Sequence, residues 1–333
     1  MQLVTAFLGV GHIHMPGVTK MLQNRAGEVS VKSVYDSDPV RAAHHATALG
    51  AKFAADIETV LRDEEVTSVI VCSETDQHLE LVTAAANAGK GIYCDKPLGL
   101  GAADAAAMAD AVERSGVLFQ CGYFSRGDPI HRFVKQEIAA GHLGRVTRAR
   151  YALCHDGLLR GWFDGQYDWL MDPMRAGGGG FFDLGSLPLD VILDTFTATE
   201  GDVLHVAASI GSRTGRAGTA IDEYGTGMVT FASGAIATFE ASWVDAKLRS
   251  GVEVHGTKGQ IRYVGGELRY YSDLVDGADG ERPWSALPEA APHAFSLFWD
   301  AQLGRKLAIP LVTVREAARC SVVMERLYVR ARR

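Results

Sequence analysis

Apolar residues along this chain follow two regimes. Up to residue 123 they gather in short continuous runs of strand length, at 3–10, 29–35, 68–72, 91–94 and 117–123. Between them lie segments of helical period, at 18–24, 39–49, 56–63, 78–87 and 102–114. Unbroken apolar runs alternating with helices predict a doubly wound parallel sheet covered on both faces. After residue 123 the pattern changes. Asp128-Pro129 opens a helix that Gly141 stops, and a second helix over 181–196 is read as amphipathic, carrying Asp183 and Asp190. Strand-like runs then follow one another with few helices between them, at 146–153, 203–210, 227–231, 235–243, 251–255, 260–263 and 268–271. Residues 231–235 read as a hairpin turn. Strands grouped in this way predict an open, mostly antiparallel sheet, and helices over 294–303 and 314–330 close the chain. Val229, Phe231, Ile236 and Trp243 suggest that one face of that sheet is apolar and covered by a partner subunit. The expected organisation is an α/β protein with a first domain over 1–123 and a second over 124–333, the last helix packing back on the first domain.

Composition narrows the choice of partners. A length of 333 residues suits two domains, and 47% apolar residues suffice for a sizeable core in each. A net charge of −7 argues against nucleic acid or an anionic membrane surface. No apolar run reaches the roughly 18 residues of a transmembrane helix, and the first residues read as a strand rather than a signal peptide. The five cysteines are scattered, odd in number and without a C-x-x-C spacing. This predicts free thiols in a reducing, cytoplasmic setting, with no metal site.

The candidate chemistry lies at the ends of the early strands. Gly9-Val10-Gly11-His12-Ile13 follows the first strand and leads into a helix. Such a turn lets the backbone approach a pyrophosphate, although His14 stands where a third glycine is expected. The second strand ends at Asp36, about 25 residues beyond Gly11, where a carboxylate binds the adenosine ribose. Nothing basic adjoins Asp36 to receive a 2′-phosphate, which favours NAD over NADP. Ser73 and His78 fall in a polar loop after the third buried strand, facing the cofactor; His78 reads equally as a first-turn helix residue. Asp95-Lys96-Pro97 ends the next strand, because the proline cannot continue the ladder. That leaves Lys96 at a strand tip, beside a carboxylate that orients it for proton transfer.

With these residues assembled, the chain resembles the glucose–fructose oxidoreductase / inositol dehydrogenase (Gfo/Idh/MocA) family. The resemblance rests on Gly9 to Ile13, Asp36, Ser73 to His78, Asp95-Lys96-Pro97, Gly122-Tyr123, Arg126, Asp128-Pro129, Asp168-Trp169, Asp172-Pro173 and Gly178-Gly179-Gly180 with Asp183 and Gly185. It implies a Rossmann domain, a C-terminal α/β domain, a nicotinamide cofactor, a sugar, cyclitol or related polyol as substrate, and a homodimer or homotetramer. It further implies pyrophosphate binding by Gly9, Gly11, His12 and Ile13, ribose binding by Asp36, cofactor contacts at Ser73, His78, Asp95 and Lys96, and catalysis by Lys96. The substrate cleft is expected to draw on Lys96, Tyr123, Arg126, Trp162, Trp169, Asp183 and position 187. Many members carry a histidine where this chain has Leu187, and leucine cannot move a proton; His155 is the candidate replacement. Two other readings stay open: transient oxidation followed by elimination in an NAD-using lyase or hydrolase, and a dinucleotide-binding sugar sensor without catalysis. Because Asp36 would repel a 2′-phosphate, NAD should bind more tightly than NADP in calorimetric titration; equal or reversed affinity would defeat the ribose assignment.

Overall fold

The structure, a computed structural model, describes residues 2–332. In chain order its elements begin with β1 (Leu3–Leu8), α1 (Met15–Gln23), β2 (Val29–Tyr35), α2 (Pro39–Leu49), β3 (Lys52–Phe53) and α3 (Ile57–Leu61). Next come β4 (Ser68–Val71), α4 (His78–Asn87), β5 (Gly91–Cys94), α5 (Ala102–Ser115), β6 (Phe119–Cys121), α6 (Pro129–Ala139) and β7 (Val146–Cys154). The short helices α7 (Pro173–Ala176) and α8 (Gly180–Asp183) precede the long α9 (Ser186–Glu200). Strands β8 (Val203–Gly211), β9 (Tyr224–Phe231), β10 (Ile236–Ser242), β11 (Arg249–Gly256), β12 (Gly259–Val264), β13 (Glu267–Ser272) and β14 (Asp279–Pro283) follow. Helices α10 (Ala294–Gln302) and α11 (Val314–Val329) and the short β15 (Ala331–Arg332) end the chain.

These elements form two compact units. The first joins residues 1–123 to 163–177 and 292–321, and the second comprises 124–162, 178–291 and 322–333. The chain therefore changes unit after residue 123 and then returns to the first unit twice, once in mid-chain.

The first unit holds a six-stranded parallel sheet in the order β3-β2-β1-β4-β5-β6. This is the doubly wound order, with the strand sequence reversing between β1 and β4, where ligands bind beyond the carboxyl ends. Strands β4 and β5 are buried at every position, which explains their unbroken apolar character. In the second unit nine strands run in the order β14-β13-β12-β11-β7-β10-β9-β8-β15, antiparallel except at β7–β10 and β8–β15. The hairpin turn at 231–235 closes as the Phe231 amide donates to the Ala235 carbonyl and the Gly234 amide donates to the Phe231 carbonyl.

Two expectations are corrected here. The helix anticipated over 181–196 is broken into α8 and α9. Gly185 lies so close to the Phe181 carbonyl that a β-carbon would stand 2.1 Å from it, and Pro188 has no N–H to return to Leu184. Nor is α9 amphipathic: Leu187, Leu189, Val191, Ile192, Leu193 and Phe196 are buried around its whole circumference, so it is a core helix. The outer face of the second sheet is also not apolar. Val229, Phe231 and Trp243 point into the core, and only Ile236 is exposed among the four residues named above. The outer face instead carries a cross-strand row of Arg262, Glu253, Arg150 and Glu240, with Arg249 beside Glu240, joined by ion pairs of 2.6–3.5 Å. Paired opposite charges suit a hydrated surface, and each such pair contributes only a few tenths of a kcal/mol to about 1 kcal/mol.

The glycine run before α8 has a local cause. Its backbone passes against the start of β9 so closely that a β-carbon on Gly179 would lie 1.8 Å from the Asp222 carbonyl oxygen, and one on Gly180 2.4 Å from that of Glu223. The Asp222 carboxylate accepts from the Gly179 and Phe181 amides (3.1 and 2.8 Å) and from the Tyr328 hydroxyl (2.7 Å), which fixes the entry to α8. Gly179→Ala should therefore destabilise the protein by about 3 kcal/mol or more, at the upper end of overpacking costs. Urea unfolding checks this; a loss below about 1 kcal/mol would show that the run can relax.

Candidate active site

In the first unit the glycine turn is pinned on every side. Gly9 has φ +85°, and a β-carbon there would sit 2.2 Å from that of Ser73, so only glycine fits between β1 and the end of β4. The Gly9 amide donates to the Tyr35 carbonyl, the His12 amide to the Cys72 carbonyl, and the Val10 amide to Asp36 Oδ2 at 2.7 Å. Asp36 thus stands at the tip of β2, as its sequence position requires, and braces the turn. Its other oxygen accepts from the Asp38 amide (2.8 Å) and from Arg41 Nη2 (2.7 Å).

Arg41 corrects the statement that nothing basic adjoins Asp36. Asp38 caps α2 through the Val40 and Arg41 amides, and the first helical turn swings Arg41 back over Asp36. Arg41 also bonds Glu74 at 2.7 Å, and Glu74 is in turn bonded by Arg175 at 2.9 Å. Arg175 comes from the mid-chain return of the first unit. So does Trp169, a buried residue whose indole N–H donates to the Gly11 carbonyl at 3.0 Å. Trp169, expected as a substrate-stacking residue, therefore lies against the nucleotide turn.

Lys96 is 3% exposed, directly after β5, with its peptide bond to Pro97 in the cis form. Asp95 is fully buried. Its oxygens accept from the Lys96 amide (2.8 Å), face His14 Nδ1 (3.1 Å) and His12 Nδ1 (3.3 Å), and accept from the Cys72 thiol (3.5 Å). Burial alone would raise this carboxyl group, but the neighbouring His14 and His12 outweigh burial and hold it well below the usual carboxylate range. Burial and the adjacent Asp95 push the Cys72 thiol well up, so it behaves as an inert core group. Ser73 is buried, with its hydroxyl on the Glu74 carbonyl. His78 is also fully buried. Its Nδ1 lies 3.0 Å from the Pro97 carbonyl and 3.2 Å from that of Leu98, so it supports the turn after Lys96, and burial keeps its ring neutral. Tyr123 is buried just past β6, and Gly122 leaves room for Asp95, whose Oδ1 would stand 2.7 Å from a β-carbon there.

In the second unit Asp183 ends α8, where Trp243 Nε1 donates to its Oδ2 at 3.1 Å. His155 follows β7. Its Nδ1 accepts the Gly157 amide at 2.9 Å, so the neutral ring carries its proton on Nε2. Trp162, half exposed, lies 5.0 Å from His155 between ring centres. Arg126, expected to meet substrate, is engaged by both oxygens of Asp190 (2.6 and 2.8 Å) and by Asp194 (3.2 Å), a buried ion pair that ties the segment before α6 to α9. Leu187 is buried in α9. Sequence reasoning passed over Arg41, Arg175 and Asp222, took Glu74 only as part of the loop from Ser73 to His78, and read Trp243 only as a residue of the outer sheet face. Of these, only Arg41 had a usable signal, in the Asp38-Pro39 helix entry.

Residues 3–123 match the family described as oxidoreductase family, NAD-binding Rossmann fold, and residues 131–262 match the GFO/IDH/MocA C-terminal domain. Over 257 residues the chain is 30% identical to the 1,5-anhydro-D-fructose reductase of Ensifer adhaerens, covering 76% of this chain and 73% of that one. It is 32% identical over 147 residues to the NAD(+)-dependent scyllo-inositol 2-dehydrogenase of Bacillus subtilis, covering 43% and 42% of the two chains. The fold superposes on levoglucosan dehydrogenase in complex with NADH and levoglucosan with a TM-score of 0.79 at 19% identity, over 99% of this chain and 97% of that one. Together with the pinned glycine turn, Asp36 and the Asp95-Lys96-Pro97 tip, these matches show that the chain belongs to the Gfo/Idh/MocA family of oxidoreductases, with an NAD-binding Rossmann domain.

Proposed function

We propose that the chain is an NAD-dependent oxidoreductase that moves hydride between the nicotinamide and a carbinol or carbonyl carbon of a sugar, cyclitol or related polyol. The observation that carries this reading is the buried Lys96 at the end of β5, beside a carboxylate that stays ionised. The backbone turn Gly9–Gly11, packed against Ser73 and Glu74, with Asp36 at the tip of β2, suits the dinucleotide. Bound NAD supplies the hydride acceptor. Lys96 takes the hydroxyl proton as the carbon is oxidised and returns it in the reverse direction. Asp183, held by Trp243, accepts from a substrate hydroxyl. His155 presents Nε2–H, which suits it to donate to a substrate oxygen rather than to take its proton, and the Trp162 ring beside it offers a flat face to a sugar.

Leu187, which cannot move a proton, favours a second reading, a dinucleotide-binding sensor without catalysis; product mass separates net oxidation from transient oxidation followed by elimination. A non-catalytic sensor would bind NADH yet never change its absorbance with any polyol. The cytoplasmic setting is supported by five buried free cysteines. Among the described residues no helix is long and apolar enough to cross a membrane. Self-association as a homodimer or homotetramer rests on the family alone, because the outer sheet face is charged.

Lys96→Met should lower kcat by roughly two orders of magnitude while NAD affinity changes little. Single-turnover hydride transfer tests this: if Lys96→Met loses less than about tenfold and His155→Ala carries the loss, the proton belongs to His155. Trp169→Phe removes one hydrogen bond from the glycine turn and should weaken NADH binding about fivefold, read by fluorescence titration, without a comparable change in kcat. Unchanged affinity would make Trp169 a packing residue only.

A further inference from the structure

Beside the Asp36 end of the nucleotide turn is a cleft of about 630 Å³, whose lining includes Ser37, Arg41, His44, Glu74, Asp168 and Arg175. It belongs entirely to the first unit. Two guanidinium groups and an imidazole next to the ribose-binding carboxylate are what a ribose phosphate would require, since arginine pairs with phosphate in a directed, bidentate fashion. Yet both arginines are already paired. Glu74 Oε1 accepts from Arg41 (2.7 Å) and from Arg175 (2.9 Å), and Gln77 donates to Oε2 (2.8 Å). Glu74 is 1% exposed, so this internal anion is well shielded from solvent. It also sits directly on the nucleotide turn: a β-carbon on Gly11 would stand 2.8 Å from Glu74 Cδ and 3.0 Å from Arg41 Cζ.

We propose that Glu74 is a specificity-determining residue of the nucleotide site: by holding Arg41 and Arg175 in ion pairs, it keeps a nearly complete phosphate subsite from accepting a 2′-phosphate. Asp36 repels that phosphate directly, and Glu74 removes the cations that would otherwise offset the repulsion. Discrimination thus comes from a repulsive group together with a blocked attractive one. The inference rests on the reading that this turn binds a nicotinamide dinucleotide.

Calorimetric titration of the full chain with NAD and NADP, and with 5′-AMP and adenosine 2′,5′-bisphosphate as adenosine-side probes, tests the assignment. In Glu74→Gln the affinity for NADP relative to NAD should rise at least about tenfold, and the bisphosphate should gain in parallel over 5′-AMP. Glu74→Ser, which removes the carboxylate and leaves both arginines, should give the same direction. Adding Arg175→Ala to Glu74→Gln should cancel most of the gain. A ratio unchanged within about twofold in both Glu74 variants would overturn the proposal. A gain that survives Arg175→Ala would remove Arg175 from the subsite and overturn the paired mechanism. If the unsubstituted chain binds neither dinucleotide, the nucleotide reading itself fails and takes this inference with it. If NAD binds normally and Glu74 has no effect, only the inference fails.

Discussion

A carboxylate buried at the end of a strand has to be neutralised by groups brought to it, and in this protein those groups come from the ends of three neighbouring strands. Asp95, after β5, meets His12 and His14 from the turn after β1, the Cys72 thiol after β4, and the amide of Lys96. Leaving such a charge without partners would cost several kcal/mol, so the carboxylate acts as a geometric constraint as well as a charge. It fixes the glycine turn relative to the lysine tip. The turn proposed to meet the nucleotide and the lysine proposed to move the proton are thereby tied to one buried group.

The second unit solves a comparable problem differently. Asp222 is buried enough that its carboxyl group is raised, and it is satisfied by two backbone amides and the Tyr328 hydroxyl rather than by a cation. That arrangement demands the close backbone approach at Gly179 and Gly180, which in turn sets where α8 ends and Asp183 projects. Trp243, buried beneath, fixes the same aspartate. A candidate substrate-binding carboxylate is thus positioned by a run of four residues without side chains.

The alternation of apolar runs and helical segments made the parallel sheet legible, because fully buried strands leave unbroken apolar runs. Asp36 and Lys96 were legible as well, because strand ends are marked by local chemistry: an acidic residue at a fixed distance, a proline that cannot pair. What stayed hidden depends on contacts distant in the chain. Arg175 meets Glu74, and Trp169 meets Gly11, only through the return of the chain at 163–177. In the second sheet Val229, Phe231 and Trp243 were read as an outer apolar face, since an apolar run alone does not say which face is the core. The division of 181–196 into two helices was signalled by Gly185 and Pro188, whose joint effect outweighed the apolar pattern around them.

The return of the chain at 292–321 has a consequence for the order in which the protein can be built. Tyr93 of β5 stacks on Phe295 of α10 at 3.7 Å, and the edge strand β6 is closed by the backbone of Val312, whose amide also bonds the Gln120 side chain. The first unit's sheet is begun by β1 and is closed only by residues that follow the strands β7–β14 of the second sheet. Until then one edge and one aromatic face of β5 and β6 stay open to solvent, as an unprotected strand edge to which another chain could add. During synthesis, the half of the molecule that looks most independent has to wait for its final layer until β7–β14 of the other half have been made.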